Sequence, residues 1–269
     1  MRPLLAVVLA FLFLAVHAYA QVPPTTTDPR AVMEASYRLD AGDRLVARVR
    51  MTITDAQGRA RVREVVLRAM EFQGGRKTLM LFESPADVRN TGLLSIDHDE
   101  GSRRDEQWLY LPSLHRATRI AASRRSGSFV GSDFSFADLT AADPDEYELR
   151  MVQADVAVNG EPCWRIEATP RTPAIREETG YEKIEVWISK RSLLAIRTKA
   201  TMGQGRAKYV ALEDVRRVDG IWTAHRVVAR TVRNDQLESQ TVLERRDVRY
   251  GDATVTEADF TVQRLERGL

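Results

Sequence analysis

The feature that most constrains this chain is a period of two. From Arg44 the residues Leu45, Ala47, Val49, Met51 and Ile53 alternate with Arg48, Arg50, Thr52 and Thr54. Side chains two apart on a strand share a face, so this reads as a half-buried β-strand with one dry and one wet side. The pattern recurs along the chain, and the breaks between runs are short. Asp55 to Gly58 leads into 61–72, Gly74-Gly75 into 77–83, and Pro85 ends the third run. Asn159-Gly160, between 147–158 and 163–169, is the strongest hairpin signal in the sequence. Further runs at 183–189, 193–202, 207–218, 221–232 and 237–250 are joined by Lys190-Arg191, Asp219-Gly220 and Asn234-Asp235. Strands spaced like this form an antiparallel meander of about ten or eleven members.

Helical signals are few. Asp28 can cap, Pro29 suits a first helical position, and Ala31, Val32, Ala35 and Leu39 make an apolar stripe ending near Gly42, which predicts one helix over 28–40. A short helix near Ser135 to Leu139 and a C-terminal turn around Glu257 to Phe260 complete the inventory. The expected fold is therefore mainly β (α+β by count): one large, curved antiparallel sheet forming an incomplete, half-open barrel, with a few helices over its concave apolar face. So large a sheet with so little to fill it leaves room for a cavity. A closed, fully packed barrel has the same periodicity.

The N-terminus reads as an export signal. Arg2 precedes an apolar run from Leu4 to Val16, and Ala18 and Ala20 form an A-x-A cleavage site before Gln21. Residues 1–20 are thus expected to be a signal peptide cleaved after Ala20, 21–27 a flexible tail, and 28–269 a single domain. Gln21 and not a cysteine directly follows the cleavage site, so lipidation of the mature chain is not expected. The single cysteine, Cys163, forms no internal disulfide and suits a buried small hydrophobe.

Composition and motif searches narrow the function. With 40 basic against 38 acidic residues, the chain lacks the dominant positive field that non-specific nucleic-acid binding needs. There is no G-x-S-x-G elbow, no glycine-rich phosphate loop and no zinc-binding histidine pair, with His98, His115 and His225 scattered. Asp97, His98, Asp99 and Glu100 lack the glycine and terminal glutamate of a calcium loop and read as a solvated turn. No enzyme, metal or cofactor is expected.

One stretch breaks the plain alternation. Residues 102–139 carry a strand-like run with Trp108, Tyr110 and Leu111, a basic segment with Arg116 and Arg119, and a loop with Arg124, Arg125, Gly127, Phe129 and Gly131. They close on Asp133, Phe134, Phe136 and Asp138. Arginine, glycine and aromatic residues concentrated in one non-periodic segment mark the expected functional region.

QWLYLPSLHRATRI followed by RRSGSFVGSDFSFADL resembles the LolA-like outer-membrane lipoprotein-sorting family of Gram-negative bacteria. That family carries a W-L-Y-L-P strand, a basic segment and a G-S-D-F-x-[FY]-x-D-L element in this order, and the likeness extends from about Asp28 to the C-terminus. The resemblance implies a monomeric periplasmic carrier that shields the acyl chains of a lipid or lipoprotein without covalent chemistry. It also suggests an inner-membrane partner, either an RND-type exporter or a lipoprotein-releasing complex. Under that reading Trp108, Tyr110, Leu111, Phe129, Phe134 and Phe136 contact ligand. Arg116, Arg119, Arg124 and Arg125 face headgroups or the partner. Gly127, Gly131, Asp133 and Asp138 shape the loop. The alternative is a periplasmic sensing or scaffolding protein that binds another protein through 112–139 and carries no lipid. A carrier requires an apolar cavity near this segment, and a scaffold requires a filled interior.

Overall fold

In a computed structural model describing residues 22–99 and 104–268, thirteen strands form one open antiparallel sheet. Residues 1–20, expected to be a signal peptide, lie outside the described residues. The strands are β1 (Arg44–Asp55), β2 (Ala60–Phe72), β3 (Gly75–Ser84), β4 (Gly92–His98), β5 (Glu106–Leu111), β6 (Arg116–Arg119), β7 (Tyr147–Val158), β8 (Glu161–Pro170), β9 (Lys183–Ser189), β10 (Ala195–Thr201), β11 (Arg206–Val218), β12 (Ile221–Arg233) and β13 (Gln236–Tyr250). The count exceeds ten or eleven because short pieces also pair. The shortest, β6, lies in the basic segment, where Arg116 and Arg119 obscure any alternation.

The order β6-β5-β4-β3-β2-β1-β13-β12-β11-β10-β9-β8-β7 shows how the sheet is built. The chain starts mid-sheet at β1 and walks outward to the edge strand β6. It then crosses to the far edge at β7 and walks back until β13 pairs with β1, with Met51 opposite Leu243 and Ile53 opposite Thr241. Two meanders therefore meet at β1–β13, and residues 120–146 are the crossover between the edges. The Asn159-Gly160 hairpin forms as its sequence requires, with φ of 53° and 83° at its two turn residues.

Alternation assigns the two faces. In β3, Leu79 and Leu81 belong to one buried cluster, while Met80 and Phe82 pack in another. The cluster with Phe82, Leu45, Ala47, Val49, Met51 and Ile53 also takes in Phe129, Val130 and Phe136 of the crossover, and this is the inner face. The C-terminal helix α3 (Val262–Arg267) instead places Leu265 among Leu79, Leu81, Leu94 and Tyr110. One of the helical segments expected over the concave face thus covers the outer one. Its preceding 3-10 turn, Glu257–Asp259, is held by a reciprocal capping box between Thr256 and Asp259.

Two helices lie on the inner side of the second meander. Helix α1 (Pro29–Tyr37) is capped by the Asp28 carboxylate and packs Val32 against Trp164, Ile166, Val186 and Ile188. The preceding segment lies on the same cluster through Val22, and the Trp164 indole donates to the Thr26 carbonyl at 3.0 Å. Helix α2 (Pro173–Thr179), absent from the sequence expectations, carries the signals that identified α1: a capping Thr172, Pro173 at its start and Gly180 at its end. Among the described residues no helix is long and apolar enough to cross a membrane.

Candidate functional site

The crossover folds down onto the inner face instead of looping into solvent. Ser128 and Ser135 bridge as a small hairpin, closed by a turn in which Ser132 N–H donates to the Phe129 carbonyl at 3.0 Å. Val130 and Gly131 occupy its central positions with φ of 49° and 73°. Glycine adopts that conformation freely, whereas for a β-branched valine it is strained. The buried Arg63 guanidinium, whose carbon lies 5.8 Å from the Phe82 ring centroid, donates to the Val130 carbonyl and helps hold it. Phe129 is 1% exposed, with ring centroids 5.8 Å from Phe82 and 5.7 Å from Phe136.

Polar clamps fix the crossover across the sheet. The buried Asp133 carboxylate accepts from Thr231 Oγ1 at 2.6 Å, Ser239 Oγ at 2.5 Å and Thr241 Oγ1 at 2.7 Å, which tie the loop tip to β12 and β13. Asp138 accepts from Lys208 Nζ at 2.6 Å and from the Tyr181 hydroxyl at 2.5 Å, and Lys208 also donates to that hydroxyl at 2.7 Å. Burial, and next the Asp138 charge, push the Tyr181 phenol well above its ordinary value, so it stays a neutral donor. Gln107 Nε2 donates to the Phe136 carbonyl at 2.9 Å. Arg125, 7% exposed, pairs with Glu178 of α2 at 2.5 Å and donates to the Asp105 carbonyl at 2.5 Å.

Beside this plug the inner face is open. A cavity of about 1320 Å³ lies between the crossover, α1, α2 and strands β8 to β11, with Ala168, Ile184, Val186, Ile188, Ala195 and Val210 among its apolar walls. Phe134 separates the filled and open regions: it packs on Ala224, Val227 and Ala229 of β12 and also lines the cavity. Arg119 and Arg125 line the same space, while Arg116 and Arg124 stay exposed.

The aromatic residues singled out in the sequence are thereby separated. Phe129 and Phe136 fill the inner core. Trp108 and Tyr110 lie on the outer face under the C-terminal segment, since β5 pairs Trp108 with Leu94 and Tyr110 with Gly92. Leu111 is half-buried at the end of β5. Alternation forces this split, because residues of one strand two apart from Trp108 cannot reach the inner side. Cys163 is fully buried in β8, and burial pushes its thiol up to about 11.

Polar residues outside the singled-out segment lie near one end of the cavity, among them Tyr37 and His98 of its lining. The stretch read as a solvated turn is in part the end of β4, and Asp97 Oδ1 is buried there without a hydrogen-bond partner. Burial, then the neighbouring Asp105 charge, raises Asp97 from 3.8 to about 7. Tyr37 on α1 rises to about 12 through burial and the charges of Asp143, Asp99, Asp105 and Asp97. The alternating signal could have placed Asp97 on a strand, because Leu93, Leu94 and Ile96 precede it directly. Its burial beside Asp105, Arg125 and Arg76 is not legible in that alternation.

Comparison with known proteins agrees with this architecture. A family model described only as that of an uncharacterized protein matches residues 74–267. A candidate outer membrane lipoprotein-sorting protein domain from Vibrio parahaemolyticus is 28% identical, with a TM-score of 0.78 over 89% of this chain and 98% of its own. A DUF1329 family protein from Desulfovibrio piger is 27% identical, also with a TM-score of 0.78, over 89% of this chain and 100% of its own. A LolA superfamily protein from Nitrosomonas europaea, 15% identical, shares the fold at a TM-score of 0.62 over 88% and 98% of the two chains. No curated protein matches the sequence. From the match across 74–267 the chain belongs to the family of that model, and it shares its open-sheet fold with the lipoprotein-sorting protein domain and the LolA superfamily protein.

Proposed function

We propose that this protein is a non-enzymatic periplasmic carrier that holds the acyl chains of a lipid or lipoprotein in the inner-face cavity and moves them between membranes. The observation that carries the reading is the cavity itself. At about 1320 Å³ it exceeds the ~300–1000 Å³ of ordinary small-molecule sites, and its walls of Ile184, Val186, Ile188 and Val210 match aliphatic chains. Each acyl CH₂ exposed to water costs about 0.8 kcal/mol, so sheltering a long chain offsets on the order of 10 kcal/mol without chemistry. In this reading Phe134 is the ligand-contacting aromatic, and Phe129 and Phe136 brace the plug beside it. Asp133, Asp138, Gly127 and Gly131 set the plug's shape. Exposed Arg116 and Arg124 meet the membrane surface or the inner-membrane complex, RND-type or lipoprotein-releasing, that delivers cargo.

The test is native mass spectrometry with lipid extraction on protein purified from a periplasmic fraction. Co-purifying lipid is expected, and it should be lost in Phe134→Glu and in Ala195→Phe, which fills the cavity without touching the plug. Protein that is lipid-free and stays so after incubation with lipid vesicles overturns the carrier reading in favour of a sensing or scaffolding protein.

A further inference from the structure

Among the described residues, the exposed large hydrophobic side chains are Val62, Leu114 and Leu237, at 46%, 56% and 47%. The topology brings all three to one end of the sheet. Strands β1, β3, β5 and β12 run toward that end and β2, β4, β6 and β13 run away from it. Their connections therefore follow one another along the rim in the order β5–β6, β3–β4, β1–β2 and β12–β13. Neighbouring connections are two strands apart, or about 10 Å. Leu114 ends the 3-10 turn Pro112–Leu114, Val62 lies near the start of β2, and Leu237 lies at the start of β13.

Arginines accompany them. The connections at 55–62, 85–91 and 112–116 carry Arg59, Arg61, Arg89 and Arg116 against Asp55 and Asp87, and all four arginines are exposed. Arg59 pairs with Asp55 at 2.7 Å, which leaves three arginines facing Asp87 alone. Pro85 and Ala86 are exposed on the middle connection. The fourth connection adds Leu237 but also Asp235 and the Arg233–Glu238 pair, so the basic stretch is confined to the first meander. A protein partner needs a continuous, closely packed patch on the order of 800 Å² a side. Here the apolar side chains stand singly on separate turns with arginines between them. A fluid bilayer interface accepts such side chains one at a time, and an anionic leaflet complements their charge.

We infer that this rim, Val62 and Leu114 with Arg61, Arg89 and Arg116, is a docking surface for an anionic phospholipid bilayer. The inference rests on the carrier reading for its purpose. The edge strand β6 begins at the rim with Arg116 and ends with Arg119, which lines the cavity, so a protein seated by this rim holds its cavity beside the membrane.

The test is co-sedimentation of the full mature protein with two sets of vesicles, phosphatidylcholine alone and phosphatidylcholine containing phosphatidylglycerol. Binding is expected to be stronger on the anionic vesicles and to fall as salt is raised. Arg116→Gln should weaken it about fivefold, and Arg61→Gln, Arg89→Gln and Arg116→Gln together about a hundredfold. Leu114→Asn should weaken it about three- to tenfold with the salt dependence unchanged. Arg216→Gln, which alters an exposed arginine at the opposite end of the sheet, should leave it unchanged. Ala195→Phe, which fills the cavity, should dock as the unaltered protein does. Binding to neither set overturns the docking surface in favour of an acidic protein partner. Equal binding to both sets, binding that survives the triple replacement, or an equal loss from Arg216→Gln and Arg116→Gln overturns it as well. In each of these cases the carrier reading still stands or falls on lipid extraction, which reads the cavity and not the rim.

Discussion

The two halves of the sheet carry the same alternating pattern and end up with different interiors. Over β1 to β6 the inner face is filled, because Phe129, Val130, Phe136 and Leu139 of the crossover pack onto Leu45, Val49, Met51, Val65 and Phe82. Over β8 to β11 the covering elements are α1 and α2. They are short, α2 carries no buried residue, and a cavity of about 1320 Å³ remains. A sheet supplies an apolar wall, and the segment laid across it decides whether that wall becomes core or binding surface. In this molecule one crossover does both, since Phe134 packs on β12 with one part and lines the cavity with another.

The largest expected effect separates the halves directly. Phe129→Ala removes a fully buried ring from the filled half and should cost about 3–5 kcal/mol, whereas Ile184→Ala removes a half-buried cavity-wall residue and should cost only about 1 kcal/mol. Chemical denaturation of both variants checks this, and equal losses would mean that the second half is packed as tightly as the first.

Next in size is the clamp joining the halves, where Asp138 of the crossover meets Lys208 of β11 and Tyr181. Lys208→Met leaves a largely buried carboxylate without its cation and should cost about 3 kcal/mol. The double variant Lys208→Met, Asp138→Leu should recover most of that loss. If the single variant is as stable as the unaltered protein, the halves are not joined through this pair.

A pH-dependent effect, absent near pH 4, sharpens the comparison at the end of β4. A carboxyl raised on folding holds its proton more tightly in the folded chain, so folding binds protons and stability falls as pH rises. For Asp97 the window runs from about 4 to about 7. Asp97→Asn should therefore be more stable than the unaltered protein by up to about 4 kcal/mol at pH 8, with the gap closing near pH 4. Thermal melts across that range measure it, and a pH-independent gap would place Asp97 in water.

The sheet was legible because strand alternation and turn chemistry are local: Leu45 to Ile53, Asn159-Gly160 and Asp219-Gly220 announce themselves within a few residues. The N-terminal helix was legible for the same reason, through Asp28 and Pro29. The site was legible only in part. Its segment stood out by composition, yet Trp108 and Tyr110 face away from the cavity that Phe134 lines, Lys208 carried no sequence signal, and Asp97 read as part of a solvated turn. Their surroundings come from residues far along the chain, Asp138 for Lys208 and Arg125 and Asp105 for Asp97.

By itself, then, the sequence determined a mainly β chain of paired strands, the position of its first helix and the segment that departs from the pattern. Which face that segment covers, and how much of the inner face it leaves empty, were decided only by the tertiary structure. Alternation tells which residues share a face but not what lies across from them. That depends on a crossover joining the two sheet edges, whose path is set by long-range contacts such as Asp133 with Thr231, Ser239 and Thr241.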